Sequence, residues 1–257
     1  MAETSDDCVG DAFRCCGVTI DASSFDGAVA DVLQAKSLSS GRSVHLCNAY
    51  TLSLAQRDED FSDLLNRGDL NYADGMPLVW AGRRAGFDAM DERVYGPDLM
   101  EAVFDRGRAV GLRHYLYGAT DEVLAGLEAA LLRSFPGTTF VGRHAPPFRP
   151  LTDDEKRDVI SRVRAAQPDV VWVGLGTPLQ DRFVDEFRDE LPATLVAVGA
   201  AFDYLSGNKT SAPRWMQRSG LEWLYRLAKE PKRMWRRYLV GNAVFLYGLV
   251  RGGVKRV

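Results

Sequence analysis

The sequence predicts an α/β protein: a Rossmann-like parallel sheet with helices on both faces, continued by a basic, helical C-terminal appendage. Three observations carry that expectation. Strand-like and helix-like stretches alternate through most of the chain. The later strands, Val170-Val171-Trp172-Val173 and Leu195-Val196-Ala197-Val198, are apolar at every position, as strands buried on both faces are. The alternation stops near Lys209 to Pro213, where basic and aromatic residues take over. At 257 residues, 46% hydrophobic and 26% charged with a formal net charge of −3, the chain has ordinary globular composition and enough length to bury a large core. Disordered, collagen-like and disulfide-framework classes are excluded.

Phe13 to Ile20 is rich in strand formers. Asp21-Ala22-Ser23-Ser24 then offers caps before Phe25 to Leu33, whose apolar residues recur at helical spacing. Ser43 to Cys47 reads as a strand, Thr51 to Leu65 as a helix, Leu70 to Ala73 as a short strand and Pro77 to Arg84 as a helix. Arg113 to Tyr117 is a strand ending in Gly118, followed by a helix over Asp121 to Leu132. A strand at Thr139 to Gly142 leads into a loop with Pro146, Pro147 and Pro150. Thr152-Asp153-Asp154-Glu155 opens the next helix in the manner of a capping box. Pro178 begins a helix between the two buried strands. No internal repeat or low-complexity segment interrupts this order. The chain therefore divides into a Rossmann-like body, residues 1–208, and an appendage, residues 209–257.

Cys8, Cys15, Cys16 and Cys47 lack C-x-x-C spacing, a poor pattern for zinc, and read as reduced thiols, the last three packed in strands. The opening Met1-Ala2-Glu3-Thr4-Ser5-Asp6-Asp7 carries no expectation of a signal peptide, and a cytoplasmic location is expected. The apolar run Ala243 to Val250 is well short of the ~20 residues of a membrane-spanning helix. From Lys209 onward twelve basic residues stand against Glu222 and Glu230, so the tail carries +10; taken from the whole-chain −3, this leaves −13 on residues 1–208. Such asymmetry points to an anionic partner. On a helical wheel Leu224, Leu227, Met234, Trp235 and Tyr238 gather on one side and Arg226, Lys229, Arg233 and Arg237 on another, which suits an anionic lipid headgroup or a phosphate. A helix packing its apolar side on the body, with its charges in water, accounts for the same pattern. An apolar side left open calls for membrane, body or a second copy to cover it, so a homo-oligomer is a further expectation.

In an open parallel sheet, ligands bind beyond the carboxyl ends of the strands. The residues expected there are Asn48, Asp74-Gly75, Gly118-Ala119-Thr120, Gly174-Leu175-Gly176-Thr177-Pro178-Leu179-Gln180 and Gly199-Ala200-Ala201-Phe202-Asp203. Glycine turns beside a helix start expose backbone N–H groups that cradle phosphate. Gly118, Gly174, Gly176, Gly199 and Asp203 are thus the nucleotide-binding candidates. Leu179 stands where G-x-G-x-x-G needs its third glycine, and no G-x-x-x-x-G-K-[ST] occurs, so neither the dinucleotide fingerprint nor the usual P-loop is present. Asp74 could take a proton from an attacking hydroxyl; it could equally form a turn with Gly75 and cap the helix near Pro77. Asp203 could hold a base or ribose, or simply finish a strand. His45, His114 and His144 show no i, i+4 pairing and suggest no metal triad. No Asp-x-Asp motif is read as holding a divalent cation, so neutralising an anionic leaving group would fall to cationic side chains and helix N-termini.

The order and spacing of several segments go further. They are Asn48, Ala73-Asp74-Gly75-Met76-Pro77-Leu78-Val79-Trp80, Arg93-Val94-Tyr95-Gly96-Pro97-Asp98-Leu99, Gly174 to Asp181, Val198 to Asp203, Gly207, Ala212-Pro213-x-Trp215, Gly220 to Leu227 and Glu230-Pro231-x-Arg233. This arrangement resembles the WecG/TagA/CpsF family of bacterial glycosyltransferases over nearly the whole chain, from Gly17 to about Arg237. The resemblance implies a metal-independent, cofactor-free, inverting transfer of a sugar from a UDP-sugar donor to a polyprenyl-diphosphate saccharide. That places the chain peripherally on the inner face of the plasma membrane, with an anionic membrane surface and no nucleic acid as partner. It further implies Asp74 as catalytic base and Asn48 and Gln180 in the substrate pocket. Arg226, Arg233 and Arg237 of the appendage would close the site and engage the diphosphate. The chain departs from the family pattern at Leu46, Leu179, Asp181 and Ser211, where Thr, Lys, Glu and Arg are usual, which bears on the donor sugar. Two readings from other classes stand beside this one: a nicotinamide-dependent oxidoreductase, and a non-catalytic adaptor that binds membrane or nucleic acid through its tail.

Overall fold

The computed structural model describes residues 11–257; the acidic start of the chain, with Cys8 and the signal-peptide expectation, lies outside the described residues. The chain begins with a hairpin, β1 (Ala12–Cys15) and β2 (Val18–Asp21), then α1 (Phe25–Leu33), β3 (Arg42–Cys47), α2 (Ala49–Ala55), α3 (Glu59–Arg67), β4 (Leu70–Ala73) and α4 (Met76–Arg84). Next come α5 (Gly96–Gly107), β5 (Arg113–Gly118), α6 (Asp121–Ser134), β6 (Thr139–His144), α7 (Asp153–Ala166), β7 (Val170–Gly174), α8 (Leu179–Phe187), β8 (Thr194–Ala197) and α9 (Ala201–Leu205). The tail forms α10 (Arg214–Arg218), α11 (Glu222–Lys229), α12 (Pro231–Trp235), a π-helical turn at Arg236–Val240, α13 (Gly241–Gly252) and β9 (Val254–Arg256).

The main sheet runs β4-β3-β8-β7-β5-β6 with every neighbouring pair parallel. Alternation along β7 explains its unbroken apolar run: Val170 and Trp172 enter one core, with Phe104 and Leu116, while Val171 and Val173 enter the other, with Val184 and Phe187. Local caps agree with the sequence. Ser24, Asp58 and Thr120 accept backbone N–H groups at the starts of α1, α3 and α6, and Thr152 with Glu155 closes a capping box at α7. His114 belongs to the core: it stacks on Phe104, accepts the Trp172 indole N–H at 3.1 Å, and burial holds it neutral with a pKa of about 3.

Three expectations are corrected. Phe13 to Ile20 is not one strand. Cys16 and Gly17, at φ 52° and 86°, fold it into the β1–β2 hairpin of a separate antiparallel sheet, β2-β1-β9. Cys16 therefore lies in a turn, half-buried, whereas Cys15 and Cys47 are buried in strands. The helix expected over Thr51 to Leu65 is two, because Asp58 takes an extended conformation (φ −138°, ψ 102°) and caps α3. The wheel drawn for the tail also changes. Met234 and Tyr238 are buried as expected, but Leu224 and Trp235 are exposed, and Arg226 and Arg237 turn inward. Pro231 and the π-helical turn shift the register that a continuous helix would keep. Beyond them α13 packs on α2, and β9 returns to pair with β1.

Candidate active site

The carboxyl ends of β3, β4, β7 and β8 converge on one rim. Asn48 ends β3 and caps α2: its Oδ1 accepts the Tyr50 and Thr51 N–H groups at 3.1 and 3.3 Å. That leaves its amide NH2 to donate to Asp74 Oδ2 at 3.3 Å. Asp74 ends β4, fixed by its own N–H donating to the Cys47 carbonyl at 2.8 Å. It does not cap the following helix; Gly75 is the α4 N-cap and no side chain serves there. The second Asp74 oxygen, Oδ1, is buried without a hydrogen-bond partner. Burial is the largest influence on Asp74 and pushes its pKa up to about 6, against the pull of Arg93 and Arg226.

Two cavities meet at this carboxylate. The smaller, about 160 Å³, is walled by the turns after β7 and β8 and includes Gly174, Gly176, Gln180, Gly199 and Asp203. Gly176 and Gly199 have φ of 78° and 58°. The buried Gln180 braces this loop, its Oε1 accepting the Gly176 N–H at 3.0 Å. Past Ala200 and Tyr204 the chamber continues into a 250 Å³ pocket beneath α11 and α12, lined by Lys209, Arg226, Arg233 and Arg237. The larger cavity, about 750 Å³, runs the other way from Asp74. It passes between α4 and α13 along Met76, Trp80, Phe245, Leu246 and Leu249. Asn48, Asp74, Tyr95, Arg226 and Arg237 line both. Gly118 lines neither. It lies against β7 so closely that a Cβ there would stand 2.6 Å from the Gly174 carbonyl oxygen, so its part is packing of the rim. Asp203 is tied to Asn208 at 2.7 Å and Lys209 at 3.3 Å.

Cations surround Asp74. Arg226 pairs with Glu222 at 2.5 Å, and Arg93 with the other oxygen of Glu222 at 2.6 Å. Arg237 lies over the Tyr50 ring at 4.4 Å, its Nε buried and unpartnered; among the described residues no carboxylate pairs with it, and burial lowers its pKa. Arg233 is exposed at the rim and paired with Glu230 at 2.7 Å. Three guanidiniums against two carboxylates leave the site net positive, a standing attraction for an anion. The one Asp-x-Asp spacing in the chain, Asp58-Glu59-Asp60, opens α3, where Asp58 pairs with Arg182, and none of the three lines these cavities. Arg93, Tyr95 and Glu222 are the site residues the sequence left without a role. The Val94 N–H donates to the Ala73 carbonyl at 2.8 Å, which sets Arg93 and Tyr95 beside the end of β4. Pro97 opening a run with Leu99, Met100, Val103 and Phe104 at helical spacing was the signal for α5 and the segment that precedes it.

A parallel α/β sheet whose rim sets Asp74 among arginines, between a glycine-walled chamber and an apolar cleft, has the charge and the space to take an anionic ligand. The family model described as "Glycosyl transferase WecG/TagA/CpsF family" matches residues 13–257, and the chain belongs to that family. It is similar to an N-acetylglucosaminyldiphosphoundecaprenol N-acetyl-beta-D-mannosaminyltransferase of Bacillus spizizenii, 32% identical over 186 residues, covering 72% of this chain and 70% of that one. The protein is a glycosyltransferase, which sets aside the oxidoreductase and adaptor readings.

Proposed function

We propose that the protein transfers an N-acetylmannosamine or related uronic acid residue from a UDP-sugar to a polyprenyl-diphosphate-linked saccharide, with inversion and without a metal. The observation that carries this reading is a single carboxylate shared by two chambers and ringed by Arg93, Arg226 and Arg237. The donor takes the glycine-walled side. Backbone N–H groups of the turns after β7 and β8 meet its diphosphate, as loop and helix-start amides do. The acceptor takes the larger cleft, whose apolar limb between α4 and α13 suits the first units of an isoprenoid chain. The relative's name, which pairs an undecaprenol diphosphate sugar with a mannosaminyl group, supports that assignment.

In the reaction Asp74 takes the proton of the acceptor hydroxyl as its oxygen attacks the donor's anomeric carbon from the face opposite UDP. The bond from that carbon to the phosphate oxygen breaks, and the electron pair leaves with UDP. Arg237, which pairs with no carboxylate among the described residues, and Arg226 then face the charge gathering on the diphosphate. Asn48 orients Asp74, and residues 209–257 act as the closing unit, with Arg233 at the rim. Exposed Trp215, Leu224, Trp235 and Leu239 beside the basic tail would seat this unit on an anionic membrane.

The test is a screen of UDP-sugars with a short-chain polyprenyl-diphosphate N-acetylglucosamine, run with and without EDTA and with the product anomer determined. Transfer indifferent to EDTA, with the anomer inverted, is the expected result. Abolition by EDTA would remove the metal-free reading, and a retained anomer the single displacement.

A further inference from the structure

Glu222 has no place in the chemistry above, yet it is a buried carboxylate, 7% exposed, at the centre of the cationic ring. A negative charge there works against binding a diphosphate, so its role must be to hold something. It sits at the start of α11 and forms an ion pair with a guanidinium on each side of the cleft: Arg226, one turn further along α11, at 2.5 Å, and Arg93, from the body, at 2.6 Å. The Tyr95 hydroxyl donates to it at 3.4 Å, and Arg93 lies over the Tyr95 ring at 4.0 Å. Arg93 also reaches Gln217 of α10 at 3.3 Å, and Gln217 in turn donates to the Ala212 carbonyl at 2.7 Å. We infer that Glu222 is a positioning residue: it ties the appendage helix α11 to Arg93 of the body and so sets both guanidiniums against Asp74 before substrate arrives. Without it, three half-buried cations would repel one another across the junction of body and tail.

The tie needs only the geometry; its effect on catalysis rests on the proposed role of Asp74. Asp74 faces Arg93 and Tyr95 from the segment before α5, Glu222 and Arg226 from α11, Arg237 from the π-helical turn and Cys47 from β3. Within this set the charge of Glu222 raises the Asp74 pKa and the arginines lower it.

The experiment uses the full chain as wild type, Glu222→Gln and Glu222→Asp, read by amide hydrogen exchange and by the pH profile of transfer. In Glu222→Gln, exchange in α11 should quicken about tenfold or more while β5 and β7 stay protected. The acid limb of kcat/KM should move by about half a unit or more: loss of the Glu222 charge lowers the Asp74 pKa, and departure of Arg93 and Arg226 from their places raises it. Glu222→Asp, which keeps the charge, should restore the limb toward the wild-type position. Wild-type exchange in α11 would overturn the inference, whatever the limb does. If Glu222→Gln also loosens β5 and β7, Arg93→Gln removes the other end of the tie and decides the matter: faster exchange confined to α11 supports it, unchanged exchange overturns it. A wild-type profile without an acid limb contradicts the base role of Asp74 instead, and leaves the tie to the exchange measurement.

Discussion

Asp74 is buried at one oxygen, held at the other, among the described residues, by Asn48 alone, and open to the cleft. A base must be ionised to act, so kcat/KM should fall as pH drops below about 6, the value to which burial pushes this carboxyl. The same elevation has a sign for stability. The folded pKa, about 6, stands above the unfolded 3.8, so the fold disfavours the ionised form. That penalty is absent below the unfolded value, grows between the two, and is complete above the folded one. Asp74→Asn should therefore raise the melting temperature at pH 8 and lose that advantage at pH 4. Water in the cleft screens the carboxylate, so the gain is about 1 kcal/mol, or roughly 2–4 °C. Lower stability of the Asn variant at pH 8 would contradict the burial argument. Arg237 is the complementary case, a half-buried cation whose buried Nε and guanidinium pair with no carboxylate among the described residues. Arg237→Met should keep or raise stability without ligand but lose about tenfold or more in UDP affinity, read by calorimetry. Equal affinity would remove Arg237 from the diphosphate site.

At the scale of elements, the rim depends on how closely β5 and β7 approach. Gly118, at φ 126°, leaves no room for a Cβ against the Gly174 carbonyl, and Gly174 leaves none against the Phe202 ring. Gly118→Ala should cost about 2 kcal/mol or more and lower the melting temperature by several degrees, without the selective loss of turnover that a substrate contact would give. Most of the parallel sheet was legible because Val170–Val173 and Leu195–Val198 are apolar at every position and α1, α6 and α7 open on the caps Ser24, Thr120 and Thr152. The hairpin was not, because Cys16-Gly17 is an unusual pair for a turn and the flanking residues favour strand on both sides. The break at Asp58 was hidden by apolar residues that keep helical spacing across it. Among site residues, Asn48, Asp74, Gly174, Gly176 and Gly199 could be placed because a strand end defines where they point, although Gly118, at another strand end, lines neither cavity. Glu222 could not. Its meaning comes from Arg93, 129 positions away in the sequence, and no local pattern links the two.

At the scale of the whole molecule, an acidic body carries a basic tail that is pinned by α13 on α2 and β9 on β1. No helix among the described residues is long and apolar enough to cross a membrane. The tail nevertheless exposes Trp215 at 63%, Leu239 at 58% and Leu246 at 56%, the last lining the apolar limb of the cleft. Binding to anionic vesicles should weaken about tenfold between 50 and 500 mM salt, and Leu239→Glu should weaken it at either salt, as a co-sedimentation assay would read. Retention equal on neutral and anionic vesicles would contradict the electrostatic part.

The central claim, that one carboxylate between a nucleotide chamber and a lipid cleft performs the proton transfer, is tested most directly by single-turnover sugar transfer with wild type and Asp74→Asn at saturating UDP-sugar. A loss of about 10² to 10⁴-fold, with UDP bound as tightly as by wild type, is the predicted result. A variant that transfers at the wild-type rate would contradict it.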